Sequence, residues 1–599
     1  MSTVHAVCFE IVVADPHAHL FTVTCRIAQA DPEGQVVSMA AWIPGSYMIR
    51  DFAKNIVTMQ ASCNGQQLGL AKTDKQTWQV EPCVGELVLT YDVYAWDLSV
   101  RSAHLDTTHA YFNGTSIFLR VHGQDQSPQA LTIKTSSHAA LQSWQVATAM
   151  PKQSVDANGF GQYLAQDYDE LIDHPVEMGT FDRISFEACG VVHEVVITGQ
   201  HRTDMQRLAN DLKTICEHHI KFFGQPAPMD YYLFQVMVVG NGYGGLEHRA
   251  STSLLCSRQD LPRKEMKKID TAYRNFLALC SHEYLHTWNV KRIKPAVFLP
   301  YDLTQEVHTE LLWFFEGITS YYDELALYRC GVIDEKNYLE MLGQGLSRVY
   351  RGQGRFKQSL AESSFDAWTK FYKQDENAPN AICSYYTKGA MAALMLDLFI
   401  RQQSQNQKSL DDVMRYLWRN FALKQTGLEE KQVADIIQQA TGIDCSALLQ
   451  TLLYETQDPD LSALLRDFGY DLKFRAPMNA EDMGGTPAKP DQAPLLSLGA
   501  RWSRAEGGAA GLTMVFDQGA AQAAGLSAGD VIIAVDDLKV GADSLDKIVN
   551  TYTEGETIKV HAFRRDELML FEVKLQTAVA DCCYLQALGD QAESALDWL

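Results

Sequence analysis

The chain has 599 residues and carries 51 Lys and Arg against 74 Asp and Glu, a formal net charge of 51 − 74 = −23. That length exceeds what one hydrophobic core supports and points to three or four domains. The charge repels phosphate backbones, which excludes nucleic acid as an expected partner, while 46% hydrophobic and 21% charged residues describe an ordinary globular protein.

The opening residues MSTVHAVCFEIVVADPHAH lack the basic n-region and continuous apolar core of a signal peptide. No later run approaches the ~20 apolar residues that span a bilayer, so no membrane partner and a cytoplasmic location are expected. Thirteen scattered cysteines, an odd number, fit reduced thiols better than a disulfide framework, and the adjacent Cys582 and Cys583 read as incidental.

From His5 to about Phe186 the pattern is of strands: CFEIVV, LFTVTCRI, VVSMAAWI, LVLTYDVYAW and SIFLRV, divided by turn clusters. Residues 1–186 are expected to form a β-sandwich-like domain without chemistry of its own. The segment WIPGSYMIRDF, Trp42 to Phe52 with Arg50, reads as a packed loop. Beyond it, VVHEVVITG is a strand and TDMQRLANDLKTICEHHIKFFG a helix closed by Gly224, with His218 and His219 as cations at its C-terminal end. YYLFQVMVVG is an apolar strand. Gly244 and Gly245 after it permit close backbone approach and would set Glu247 by an edge strand near the next helix.

That helix carries the chemistry. IDTAYRNFLAL leads at helical spacing into SHEYLHTWNVKRIKP, where His282 and His286, four residues apart, leave one helix face and can hold a single zinc ion. Glu283 is left free to take a proton from water. A shuffled chain with 17 histidines would show H-E-x-x-H in roughly three cases per hundred, and the buried helical context raises the motif above that background. Lys291, Arg292, Lys294 and Pro295 mark the expected helix end. A catalytic zinc needs a third protein ligand. TQEVHTELLWFFEGITSYYDELALYRCG offers Glu306, Glu310, Glu316, Asp323 and Glu324. Glu316 is chosen, because a carboxylate amid Trp313, Phe314, Phe315 and Ile318 needs a cation. A third histidine six residues past His286 is excluded, since that position is Arg292. Further helices follow, one with Tyr385, Tyr386 and Lys388 at its mouth, where a tyrosine can donate to a developing oxyanion.

Residues 476–494, rich in Pro, Gly and Ala, read as a linker. After it LTMVFDQ, DVIIAVDDLKV and TIKVHAFRRDELMLFEVKL are strands, AAQAAGL is a short helix ending at Gly525, and residues 581–599 are expected to close the chain with a helix.

In this order the motifs resemble the gluzincin aminopeptidases. GGLEH at 244–248 looks like their exopeptidase motif, HEYLH is similar to their zinc motif, WFFEG to the segment with the third ligand, and YTKG to the one with the catalytic tyrosine. More narrowly, HEYLHTWNVKRIKP with WIPGSYMIRDF and a C-terminal segment containing AAGLSAGDVIIAVDD resembles the glycyl aminopeptidase family. The resemblance implies an α+β multidomain protein: an N-terminal antiparallel β domain, a thermolysin-like, mostly α catalytic domain at 187–475 and a PDZ-like β domain at 495–580. It implies zinc on His282, His286 and Glu316, Glu283 as general base, Tyr386 as oxyanion donor, Glu247 with Gly244 and Gly245 holding the free amine of a peptide, and a preference for N-terminal glycine or alanine. The gap from His286 to Glu316 is longer than in the wider aminopeptidase family. The PDZ loop at Leu498 and Gly499, which would take a peptide or protein C-terminus, is degenerate. The expected function is a zinc aminopeptidase. The alternatives are a PDZ-bearing adaptor or chaperone with a vestigial hydrolase domain, and a zinc endopeptidase.

Overall fold

Alternation of apolar and polar residues in VCFEIVVAD and LFTVTCRI buries every second side chain, and Val7–Asp15 and Leu20–Ile27 pair antiparallel within an eight-stranded sheet. The computed structural model describes residues 6–488, 495–589 and 596–599. Two four-stranded sheets complete a β-rich N-terminal region. Two expected strands are shorter than their apolar runs. VVSMAAWI is extended only over Val36–Ser38 and SIFLRV only over Arg120–Val121. In the first, the apolar residues serve a loop: Ala41 N–H donates to Leu303 O at 2.7 Å and Trp42 Nε1 to Asp302 O at 2.8 Å.

Contacts define two compact units, Met1–Val307 with Arg329–Val332 and Trp418–Gly427, and His308–Tyr328 with Ile333–Leu417 and Leu428–Leu599. In the first unit a five-stranded sheet follows the β-rich region. Its strands are β1 (Phe181–Ala188), β2 (Val191–Thr198), β3 (Tyr231–Val239), β4 (Tyr243–Glu247) and β5 (Ser251–Ser257), in the order β1-β2-β3-β5-β4. β3 runs parallel to β2 and β5, and β4 lies antiparallel at the edge. Helix α1 (Met205–Phe223) starts where the Asp204 side chain accepts from Arg207 N–H and stops at Gly224, φ 96°. Helix α2 (Thr271–Leu285) is capped likewise by Asp270 and ends at Leu285, before the expected end at Lys291 to Pro295, with His286 as its C-cap. The cations after it are therefore not helix-end charges. His219 departs from expectation too: it is buried, its Nε2 lies 2.9 Å from Ser281 Oγ, and burial pushes its imidazole well below the ordinary value, so it is neutral and packs α1 on α2.

The second unit is helical in its middle. WFFEG forms a π-helical turn, Trp313–Gly317, that opens into α3 (Ile318–Arg329). Gly317 meets Gly389 of α4 (Thr387–Gln403) so closely that a Cβ on Gly317 would sit 2.6 Å from Gly389 Cα. A C-terminal sheet contains Ala500–Arg504, Ala510–Val515, Val531–Val535, Thr557–Arg564 and Glu567–Lys574 in that spatial order, with Leu538–Lys539 paired to Val531–Val535. Its core includes Leu512, Ile532, Val560 and Val573.

Two readings of the C-terminal half need correction. Within 581–599, Cys582–Ala587 is a strand, antiparallel to Tyr470–Arg475, and not a helix. Pairing decides it over local propensity: Cys583 N–H donates to Ser347 Oγ at 2.7 Å, and both cysteines are buried rather than incidental. Residues 590–595 lie outside the described residues, and Trp598 Nε1 donates to the Tyr321 hydroxyl at 3.1 Å. The expected linker is tied down at several points among its described residues. Asp482 pairs with Arg475 at 2.5 Å, and Gly485 N–H reaches Cys583 O at 2.7 Å; residues 489–494 lie outside the described residues. Among the described residues no helix is long and apolar enough to cross a membrane.

The Gly317 to Gly389 approach leaves no space for a methyl group against backbone. Gly317→Ala should cost about 1–3 kcal/mol, read as a lower unfolding midpoint than wild type.

Candidate active site

Within HEYLHTW the aromatic residues anchor the helix and the polar ones face outward from that anchor. Tyr284 hydroxyl lies 2.8 Å from His193 Nε2, and its ring packs on Trp288, which stacks on Phe223 at 5.0 Å. His282 and His286 then stand edge to face with ring centroids 4.6 Å apart. His286 Nδ1 lies 2.6 Å from Asn289 O. A carbonyl only accepts, so Nδ1 carries the proton and Nε2 presents a lone pair, the tautomer a metal ligand needs.

The edge strand meets this helix through its glycines. A Cβ on Gly245 would overlap Glu283 Oε1, so only glycine lets β4 lie against Glu283. Glu283 and Glu247 are 5% and 4% exposed. One oxygen from each, with a ring nitrogen of His286, all lie within 4.8 Å of one another. Glu316 is 2% exposed. Two imidazoles one helical turn apart fit a zinc or similar divalent ion, and buried carboxylates at the spacing of Glu247 and Glu283 require positive charge nearby.

Tyr386 is the N-cap residue of α4, its ring 4.6 Å from Tyr385. Burial, then the charge of Glu316, raises its phenol well above the ordinary value, which keeps it a proton donor. At the other sheet Leu498 is buried in the core. Gly499, φ 66°, has its N–H on Ser497 Oγ at 3.0 Å and its Cα against Gly519.

Three features went unread in the sequence. Gly45, in the loop taken as mere packing, has φ 93°, and a Cβ there would lie 2.5 Å from both Glu247 oxygens, so this loop walls one side of that carboxylate. Arg50 does serve packing, with Nη2 donating to Ser46 Oγ at 2.6 Å. Asp173, from the β-rich region, pairs with buried Lys291 at 2.7 Å and accepts Arg249 N–H at 3.0 Å, while its carboxylate lies 3.3 Å from His248 Nδ1. Burial alone would raise the Asp173 carboxyl, but Lys291, His248 and Arg249 hold it well below the usual range. Arg292 donates to Thr287 O, Arg249 O and Pro228 O, and Lys294 sits 4.4 Å over the Tyr301 ring, with burial and the Arg249 charge pushing it down to about 7. A sequence signal existed for these: three cations in WNVKRIKP within an apolar context call for partners. The third feature is Arg101, whose Nη2 donates to Gly245 O at 3.3 Å.

Asp173→Ala would leave Lys291 buried without its partner, a loss of about 3–5 kcal/mol. Because the folded carboxyl titrates below its unfolded value near 3.9, its contribution is complete above that pH and vanishes as pH falls through the lower folded value. The variant should be less stable at pH 7 and should lose less than wild type on acidification to pH 2, as urea titrations at both pH values would measure.

Residues 9–180 match the model of the peptidase M61 N-terminal domain, and residues 275–392 that of M61 glycyl aminopeptidase. The solved structure of an aminopeptidase N family protein from Idiomarina loihiensis is 42% identical, covers 99% of this chain and 100% of its own, and superposes with a TM-score of 0.95. An M1 zinc metallopeptidase from Deinococcus radiodurans is 14% identical over 76% of this chain and 94% of its own, with a TM-score of 0.48. No curated protein matches.

Proposed function

The chain belongs to the M61 glycyl aminopeptidase family and is a metallo-aminopeptidase, and from that premise we propose that it releases glycine or alanine from the free N-terminus of peptides, with zinc as its metal. The observation that carries this reading is the spacing within 4.8 Å of oxygens of Glu247 and Glu283 and a ring nitrogen of His286, with the His282 ring centroid 4.6 Å from that of His286.

His282, His286 and Glu316 would hold the zinc. When bound, the ion lowers the pKa of water and polarises the scissile carbonyl. Glu283 accepts a proton from the attacking water and returns it to the leaving amine. Tyr386 donates a hydrogen bond to the developing oxyanion, a contact worth ~10²–10³ in rate for comparable donors. Glu247 pairs with the substrate ammonium, and Gly244 and Gly245 leave the edge strand open to an extended peptide. A blocked terminus would bring an uncharged amide in place of an ammonium to the buried Glu247 carboxylate, which favours exopeptidase over endopeptidase action. The family description supports glycine, and the Gly45 backbone crowding Glu247 supports a small first residue.

Residues 495–580 are read as a PDZ-like domain, supported by the strand order of the C-terminal sheet and by Gly519 before the short helix Ala520–Ala523. A peptide C-terminus at Leu498 and Gly499 would have to displace Ser497 from the Gly499 N–H. Thirteen free thiols support a cytoplasmic setting.

Zinc stoichiometry measured beside release of the first residue from free and N-acetylated peptides tests the proposal. Glu283→Gln should keep one zinc per chain and lose ~10²–10⁴ in turnover, whereas Glu316→Ala should lose the metal. Glu247→Ala should raise KM for short free-amine peptides. Equal cleavage of acetylated and free peptides would remove Glu247 from its role, and a zinc-free chain unable to take the metal would favour the adaptor alternative.

A further inference from the structure

We propose that Arg101 is a carboxylate anchor on the leaving-group side of the scissile bond, selecting peptides whose residue after the cleaved bond carries a nearby carboxylate. This rests on the reading that Glu247 holds the substrate amine. β4 is an edge strand, so an extended peptide joins the sheet beside it. With its amine at Glu247 and its first carbonyl over Glu283, which lies against Gly245, the chain beyond the scissile bond must pass Gly244 and Tyr243, at about 3.3 Å per residue.

Arg101 stands on that track. Its Nη2 donates to Gly245 O at 3.3 Å, and its Nη1 would lie 3.6 Å from a Cβ on Gly244. No carboxylate pairs with it among the described residues, and its buried Nε makes no hydrogen bond there. The loop that carries it is built to hold still. Val100 O accepts from Asn113 Nδ2 at 2.8 Å and lies 3.1 Å from the Tyr111 hydroxyl, which is 2.7 Å from Ser253 Oγ on β5. Ser253 pairs with Leu246 on β4, so the guanidinium is braced against the strand it overlooks. A carboxylate is the ligand a guanidinium with unused donors fits best, through two parallel hydrogen bonds. Its source is either the C-terminus of a dipeptide or the side chain of an Asp or Glu after the scissile bond.

The test compares zinc-loaded wild type and Arg101→Gln on Gly-Ala, Gly-Ala-amide and Gly-Glu-amide. Wild type should show kcat/KM roughly 10- to 100-fold higher for Gly-Ala than for its amide, the range of a charge-assisted pair. Recovery of that advantage by Gly-Glu-amide would assign the side chain as a source; its absence would assign the C-terminus alone. In Arg101→Gln the acid-to-amide ratio should fall to about 1, and Arg101→Lys should restore part of it. A merely structural role would lower all three substrates alike and keep the ratio. A wild-type ratio near 1 for both carboxylates, or a wild-type ratio retained in Arg101→Gln, overturns the proposal. Equal cleavage of N-acetylated Gly-Ala would strike the Glu247 reading instead, and failure to cleave any of the free-amine peptides would remove both.

Discussion

Two carboxylates of like charge, Glu247 and Glu283, are held out of water with oxygens within 4.8 Å of each other and of His286. At an effective dielectric near 20 such a pair repels by about 3–4 kcal/mol, so the fold tolerates it only where positive charge is brought in. That requirement organises the neighbourhood. His286, its Nδ1 held at Asn289 O, turns the lone pair of Nε2 to the other side. The backbone cannot relieve the crowding, because Gly245 presses on Glu283 and Gly45 on Glu247 with no Cβ to spare.

Holding those groups demands stiffness, and the segment after the metal helix supplies it with buried charge. Lys291 is tied to Asp173, Arg292 to three carbonyls, and Lys294 to the face of Tyr301. The contacts to Asp173, Arg249 and Pro228 cross to three other stretches of chain, so the turn that carries Asn289, and through it the tautomer of His286, is located from several directions. Buried cations of this kind are costly unless paired, which makes them better at fixing one geometry than at adding stability.

The placement of His282 and His286 on one helical turn and the burial of Glu316 are legible because both signals are local: two histidines at i and i+4 and a glutamate in apolar company are read one turn at a time. Helix α1 and its terminal glycine were legible for the same reason. The limits of α2 were not. WNVKRIKP looks like a helix end followed by proline, yet the chain leaves the helix at Leu285, and Lys291 and Arg292 find partners as far away in sequence as Asp173, Pro228 and Arg249. The strand Cys582–Ala587 was read as helix since its stability comes from Tyr470–Arg475 and Ser347, more than a hundred residues upstream. Gly45 and Arg101 escaped notice because nothing in their own neighbourhoods reports that Glu247 and Gly245 lie beside them.

The position of Gly45 bears on how such a molecule is divided. Its loop is bolted to the stretch after helix α2, with Trp42 on Asp302 and Tyr47 stacked over Phe298 at 6.0 Å, and its backbone walls one side of the Glu247 carboxylate. A gene fragment encoding helix α2 without the first β-rich region would keep His282, Glu283 and His286 and still lack that wall, while laying bare the aromatic faces it covers. The amino-terminal region is thus no detachable appendage, and lineages that shuffled it away would have had to rebuild the pocket from other material.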